Sequence, residues 1–275
     1  MLNMVGLWKK AKQMREWVFE ICVNAKTGHL TSSLSCIEIL VALYYGGIMK
    51  HDPDNPGWEA RDRFVLSKGQ ASPILYAILA DLGYYDKKEL HKFAQCDGMF
   101  GVHLQKSVPG VEITAGSLGH GFNIATGMAL VAKKDRTYNM VFALLGDGEC
   151  YEGSIWEAAM FASHNKLNNL VSIIDRNYLC ATDFTEECLA IEPLVDKWES
   201  FGWEVTRIDG NDMCAVMKAL EYVRSRRSPK PQMIIADTIK GAGIRCTYDQ
   251  PLWHSRTPLK CEDINKCRKE LKNYE

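Results

Sequence analysis

Two polar clusters close two apolar runs. Met140-Val141-Phe142-Ala143-Leu144-Leu145 ends in Gly146-Asp147-Gly148-Glu149, and Ile173-Ile174 ends in Asp175-Arg176-Asn177-Tyr178-Leu179. Each run reads as a buried strand entering a loop. Open α/β sheets bind ligands at the carboxyl ends of their strands. The Asp147 carboxylate and the Asn177 side-chain amide would then offer oxygens to one point. Magnesium takes hard oxygen ligands and shares them with phosphate and water. Gly146 and Gly148 would let the backbone come close to a phosphate. A lone Gly-Asp-Gly is also an ordinary turn. Its pairing with Asn177, and a glycine loop carrying Gly116, Leu118 and Gly119, favour a magnesium-diphosphate site.

Two histidines stand in loops where proton transfer would be possible. His29 follows Gly28 in the polar stretch 27–35, and His254 lies beyond Lys240-Gly241. Imidazole titrates near neutral pH and suits general acid–base work; each is otherwise an ordinary loop residue. A further strand end, Phe64-Val65-Leu66-Ser67 followed by Lys68-Gly69-Gln70, is a second possible ligand corner.

The elements that would hold these residues alternate. Helices are expected over 5–27 (ended by Gly28), 37–45, 74–82, 121–134, 156–166, 194–201 and 212–226, with a charged helix last. Strands are expected at 64–67, 140–145, up to Asn177, 203–208 and 233–238. The 98–120 stretch is glycine-dense and irregular, and 180–192 is polar without a period. This alternation predicts an α/β fold, a mostly parallel central sheet with helices on both faces. No repeat or linker divides the sequence, so residues 1–275 are expected to form one domain.

Of 275 residues, 47% are hydrophobic and 24% charged, as in a folded globular domain. A net charge of −1 gives no electrostatic basis for nucleic-acid or anionic-membrane binding. No apolar run reaches the ~20 residues that span a bilayer. The N-terminal residues enter a charged amphipathic segment, which points to the cytoplasm. Ten cysteines are scattered without metal spacing. Reduced thiols buried as small hydrophobes are the expectation.

The clusters also resemble a known family. Gly146-Asp147-Gly148-Glu149, Glu152-Gly153, Trp156-Glu157-Ala158 and Asp175-Arg176-Asn177 look like the thiamin diphosphate motif of transketolases. Thr27-Gly28-His29, Leu66-Ser67-Lys68-Gly69, Pro109-Gly110-Val111-Glu112, Gly116-Ser117-Leu118-Gly119, Phe201-Gly202-Trp203, Asp209-Gly210-Asn211-Asp212, Lys240-Gly241 and His254 follow in the family's order. The resemblance covers nearly the whole chain but only the diphosphate-binding half of a transketolase. It therefore implies the N-terminal subunit of a split enzyme, active in an α2β2 assembly with a C-terminal, pyrimidine-binding subunit. The implied reaction transfers a two-carbon ketol unit from a ketose, a sugar phosphate or modified sugar, to an aldehyde.

By resemblance, Asp147, Asn177 and the Leu179 carbonyl would hold Mg2+, or Ca2+ or Mn2+ in its place. Gly116, Leu118, Gly146, Gly148, Glu149, Gln70 and Lys240 would form the cofactor site, with Leu118 against the thiamin ring. His29 and His254 would face the reacting carbon. Glu152 would lie at the subunit contact that couples two active sites.

Three departures bear on the substrate. Gln70 stands where the family usually has histidine; it can donate a hydrogen bond but cannot carry charge. Val102 stands where a histidine touches the donor's terminal hydroxyl, and His103 is one place further on. His120 replaces a usual glutamine. They imply a changed donor, such as a modified sugar or pyruvate, or compensation through His103 or His120. Two other classes fit the same residues: a different thiamin enzyme (deoxyxylulose-phosphate synthase-like or 2-oxo acid dehydrogenase-like) and a non-catalytic homologue.

Overall fold

A computed structural model describes all residues except Tyr138, Arg227 and Glu275. In chain order the elements are α1 (Met4–Ala25), α2 (Leu30–Leu34), α3 (Ile37–Tyr45), β1 (Arg63–Leu66), α4 (Ser72–Leu82), α5 (His120–Lys134), β2 (Val141–Gly146), α6 (Gly153–His164), β3 (Leu170–Arg176), α7 (Thr185–Cys188), α8 (Leu194–Ser200), β4 (Glu204–Asp209), α9 (Met213–Ser225), β5 (Gln232–Asp237) and α10 (Cys261–Lys272). The strands form one sheet in the order β1-β2-β3-β5-β4. Every pairing is parallel. The expected α/β class is therefore the observed one.

Burial explains the strand sequences. β2 and β3 are buried along their whole length, as central strands covered on both faces are. Parallel pairing also puts all five carboxyl ends on one edge. The register sets Gly146 beside Asp175 and Arg176 beside Asp237. The two polar clusters are thus neighbours because their strands are.

One helical layer contains α5, α6 and α8. α5 lies over β1, β2 and β3 and packs on α6, while α8 covers β4. The other layer contains α9, which packs on β4, β5 and α3, together with α1, α4 and α10. β4 lies at the sheet edge and β5 returns inward. A right-handed crossover therefore places α9 on the face opposite α5 and α6. Trp198, Trp203 and Phe122 are buried together under the first layer.

Three local expectations need correction. α1 ends at Ala25 and is capped by Lys26, whose backbone is left-handed (φ 55°) and whose N–H caps Cys22 O and Val23 O; Gly28 follows that turn. The polar stretch after it holds a short helix, α2, because Leu30 and Leu34 are buried and Ser33 Oγ donates to His29 O. The cysteines divide: Cys22, Cys36, Cys150 and Cys267 are buried, but Cys96, Cys180, Cys188, Cys214, Cys246 and Cys261 are partly or fully exposed. The positions of the last six in loops or on outer helix faces override their apolar character.

Candidate active site

A cavity of about 520 Å³ opens at the carboxyl edge of the sheet. Its lining includes Gly146, Asp147, Gly148, Glu149, Asn177 and Leu179 from the ends of β2 and β3. Gln70 comes from the turn after β1, and Gly116 and Leu118 from the glycine loop before α5. His29, His103, Glu152, Lys240 and His254 complete the expected set. Fourteen of the sixteen candidate residues therefore share one cavity. Val102 and His120 do not line it. Val102 turns its carbonyl to Ser72 Oγ at 2.6 Å, and His120 is exposed at the start of α5. Ser32, Lys68, Tyr151, Cys180, Cys188 and Leu189 were not among the candidates and line it too.

The floor is built from buried charge. Asp175 has no exposed surface and is a hub for three other elements. It is ion-paired with Lys68 after β1. Ser35 Oγ donates to Asp175 Oδ2 at 2.7 Å, Thr238 Oγ1 donates to Oδ1, and Asn177 Nδ2 donates to Oδ2 at 3.0 Å. Burial pushes the Asp175 carboxyl up, but the Lys68 ammonium outweighs it, so the net shift is downward. Sequence could not reveal this hub, because three of its partners come from separate segments, around residues 35, 68 and 238.

Asp147 is placed by equally specific bonds. Gly148 N donates to Oδ1 at 2.8 Å, and Tyr178 N donates to Oδ2 at 2.6 Å. The buried guanidinium of Arg176 donates to Oδ2 at 3.1 Å. Burial and the nearby Asp175 still hold the Asp147 carboxyl above its ordinary range, against the Arg176 charge. A cation at this point would favour the ionised form. A carboxylate has about four acceptor positions, so the three bonds leave Asp147 room for one more ligand. Asn177 Oδ1 accepts only a long bond from Leu179 N, 3.3 Å. The Leu179 carbonyl accepts from Lys240 Nζ at 2.8 Å.

These donors fit a hard divalent cation completed by diphosphate oxygens and water. Asp147, Asn177 and the Leu179 carbonyl offer three oxygens, so an octahedral ion would take its other ligands from outside the chain.

Glu149 lines the cavity and also braces it. Both of its oxygens are engaged: Ser67 Oγ and Gly119 N donate to Oε1, and Gly146 N donates to Oε2 at 3.1 Å. It ties β1, the glycine loop and β2 together at the cavity wall. Against the chain's own atoms, Gly119 is tighter than Gly146. A Cβ on Gly146 would find no atom closer than 3.8 Å. Gly119 has φ 81°, and a Cβ there would lie 2.6 Å from Ser154 Oγ. Gly119 sets the entry of α5, so the loop depends on it more than the strand end depends on Gly146.

The opposite wall carries three imidazoles. His29 lies 5.5 Å from His103 and 5.3 Å from His254, ring centre to ring centre. The chain brings His254 to His29 through Thr31, whose Oγ1 donates to Trp253 O at 3.0 Å and whose carbonyl accepts from Gly241 N. His103 takes the cavity position because Tyr76 OH donates to its carbonyl and Ser72 holds the carbonyl of Val102. The one-residue shift therefore brings His103 in.

Burial, followed by the nearby His103 and Lys240 charges, lowers the His29 pKa to about 4. Burial, then Lys240, lowers that of His254 to about 3. Both rings are thus neutral at neutral pH. Lys240 Nζ lies 2.9 Å from His254 Nδ1. An ammonium can only donate, so Nε2 carries the proton of the neutral His254 ring. Burial brings Lys240 itself down to about 8. His29 Nδ1 is buried without a partner among the described residues, an orphan polar atom facing no structural need.

A family model described as "Transketolase, thiamine diphosphate binding domain" matches residues 8–274. The chain is 42% identical to the 6-deoxy-6-sulfo-D-fructose transketolase subunit SqwG of Clostridium sp. (strain MSTE9), over 87% of this chain and 86% of that one. It is 38% identical to an apulose-4-phosphate transketolase subunit of Actinobacillus succinogenes (strain ATCC 55618 / DSM 22257 / CCUG 43843 / 130Z), over 97% and 96%. The structure superposes on transketolase from Campylobacter jejuni subsp. jejuni NCTC 11168 with a TM-score of 0.91 and 33% identity. That match covers 98% of this chain but only 43% of the other.

Proposed function

Because this chain belongs to the transketolase family, in its thiamine diphosphate binding domain, we propose that it is the diphosphate-binding subunit of a two-chain transketolase. Residues 1–275 act as one cofactor-binding domain. The other half, a pyrimidine-binding subunit, is a separate chain, and the pair assembles as α2β2. The split names and nearly full mutual coverage of the two subunit relatives support this. No helix among the described residues is long and apolar enough to cross a membrane, which is compatible with work in the cytoplasm.

The observation that carries the proposal is the shared cavity. It joins oxygen donors fit for a magnesium-diphosphate group to three imidazoles fit for proton transfer. Asp147, Asn177 and the Leu179 carbonyl would hold the metal, with Ca2+ or Mn2+ as substitutes. Gly148 would offer its amide to the diphosphate, and Leu118 would pack on the ring. Asp175 and Arg176 would keep these groups in place, and Glu149 would brace the glycine loop from the cavity lining. Thiamin diphosphate, when bound, supplies the electron sink that lets a two-carbon unit leave a ketose and join an aldehyde.

His29 and His254 are neutral and can take a proton from a substrate hydroxyl, then return it. Glu152, exposed at the mouth of the cavity and at the N-terminus of α6, would meet the partner and couple two sites. Gln70 would hydrogen-bond where a histidine usually stands.

The donor is a ketose with a polar tail, a sugar phosphate or modified sugar. Val102 suggested a donor without the terminal hydroxyl, such as pyruvate. With Val102 off the cavity and His103 on it, that suggestion loses its basis. Asp147 and Asn177 are both present and line the cavity, which speaks against a non-catalytic homologue.

The test is a donor screen of the chain paired with its partner, Mg2+ and thiamin diphosphate. Two-carbon transfer from a ketose to an aldehyde is expected. Turnover of pyruvate alone would overturn the donor class. No transfer from any ketose would overturn the function.

A further inference from the structure

The cavity wall between β3 and α8 contains two thiols that the proposed chemistry does not use. Leu179 pairs with Phe184 in an isolated antiparallel bridge, and Cys180 N donates to Asp183 O. The chain thus turns back on itself and starts α7. Arg176 Nη1 donates to Thr185 Oγ1 at 2.6 Å, and Tyr151 OH donates to the Thr185 carbonyl at 2.6 Å. These bonds hold the returning segment against the strand end. Cys188, at the close of α7, comes to rest against Cys180, with the two sulfurs 3.2 Å apart.

That is about 1 Å longer than a disulfide bond. Thr182 Oγ1 lies 3.5 Å from one sulfur and 3.4 Å from the other. Cys180 is partly exposed and Cys188 is exposed, and both line the cavity. A hydrophobic role explains neither, because neither is in the core.

We propose that Cys180 and Cys188 are a reversible dithiol–disulfide site that controls the mobility of the cavity wall. The oxidant is hydrogen peroxide. A thiolate attacks the peroxide, breaks the O–O bond and becomes a sulfenic acid, and the other oxygen leaves as water. The second thiol then attacks the sulfenic sulfur, forms the S–S bond and releases a second water. Two thiols lose two electrons, and one peroxide gains them. An exposed disulfide of this kind is open to reduction by small thiols.

The bond would tie Cys180, whose carbonyl Lys240 holds at 3.2 Å, to the end of α7. Ala181, Thr182 and Leu189, on and beside the linked segment, also line the cavity. Oxidation therefore stiffens the wall through which a ligand enters. Slower cofactor uptake is the consequence, and this last step rests on the proposed function.

The test uses the full chain paired with its partner subunit. Hydrogen peroxide is added in steps, free thiols are alkylated, and peptides are mapped by mass. The Cys180–Cys188 link should form before Cys96, Cys214 and Cys261 lose their free thiols, and dithiothreitol should reverse it. Free or singly oxidised Cys180 and Cys188 with no link would overturn the site, whatever the cofactor does. Uptake of thiamin diphosphate with Mg2+ is then followed by tryptophan fluorescence. It should slow by roughly tenfold in the oxidised complex and recover on reduction, as a restrained entry segment requires. In Cys188→Ser, peroxide should leave uptake unchanged. Equal rates before and after oxidation would overturn the control of entry. A reduced complex that takes up no cofactor would overturn the proposed function and the control with it, while the disulfide is judged by mass alone.

Discussion

The two sides of the cavity are built on opposite terms. The strand-end side is largely saturated: Asp175 accepts from four side chains and Glu149 from three groups, while Asp147 accepts from three and keeps one position open. The loop side carries imidazoles held mainly by their backbone, and His29 Nδ1 has no partner among the described residues. Saturated groups are fixed and spent; unpaired groups are available to a substrate. The difference separates residues that anchor from residues that react, and it assigns Glu149 and Asp175 to the first kind.

The largest test of that contrast is on the anchoring side. Lys68→Met leaves the Asp175 carboxylate buried without its cation, which should cost about 3–5 kcal/mol of folding stability. Urea denaturation measures it, and a loss under about 1 kcal/mol would mean the hub is not what holds the floor. On the reacting side, His103→Ala should lower kcat/KM by about 100-fold with little change in stability. Val102→Ala, one residue away, should leave kcat/KM within about threefold, because its side chain is off the cavity. Equal effects of the two changes would restore Val102 to the site.

Smaller effects divide the glycines. Gly119→Ala should destabilise the chain by about 1–3 kcal/mol, since alanine resists a left-handed backbone and meets Ser154. Gly146→Ala should cost roughly 1 kcal/mol or less without cofactor. Thermal melts of the two variants decide this, and the reverse order would return the tight constraint to the strand end.

The smallest effect is that of pH. Folded His29 and His254 have pKa values of about 4 and about 3, below the ordinary 6.5. As pH falls below 6.5, the unfolded chain takes up protons that the folded rings refuse. The contribution of these rings to stability is whole above pH 6.5 and declines as pH drops toward 4 and 3. Histidine NMR should show both rings neutral at pH 6, and a charged ring there would place it in solvent.

Much of this was readable from the chain. Apolar runs ending in Asp147 and Asn177 gave the strand ends and their shared edge, because burial on both faces forces continuous apolar strands. α3 fell at 37–45 as expected, bounded by Gly46-Gly47. What was not readable depends on contacts distant in sequence. α2 is polar in composition, and only the packing of Leu30 and Leu34 makes it a helix. The choice of His103 over Val102 rests on Ser72 and Tyr76, some thirty residues earlier. The Asp175 hub needs residues 35, 68 and 238 together. The meeting of Cys180 and Cys188 needs the turn that Arg176 and Tyr151 hold in place.

The central claim is that Asp147 at the end of β2 anchors a magnesium-diphosphate group. Isothermal titration of thiamin diphosphate into the chain paired with its partner, with and without Mg2+, tests it most directly. Binding should require Mg2+ and should vanish in Asp147→Ala, while the folded structure, followed by circular dichroism, stays intact. Unchanged affinity in Asp147→Ala, or binding indifferent to divalent cations, would contradict the account.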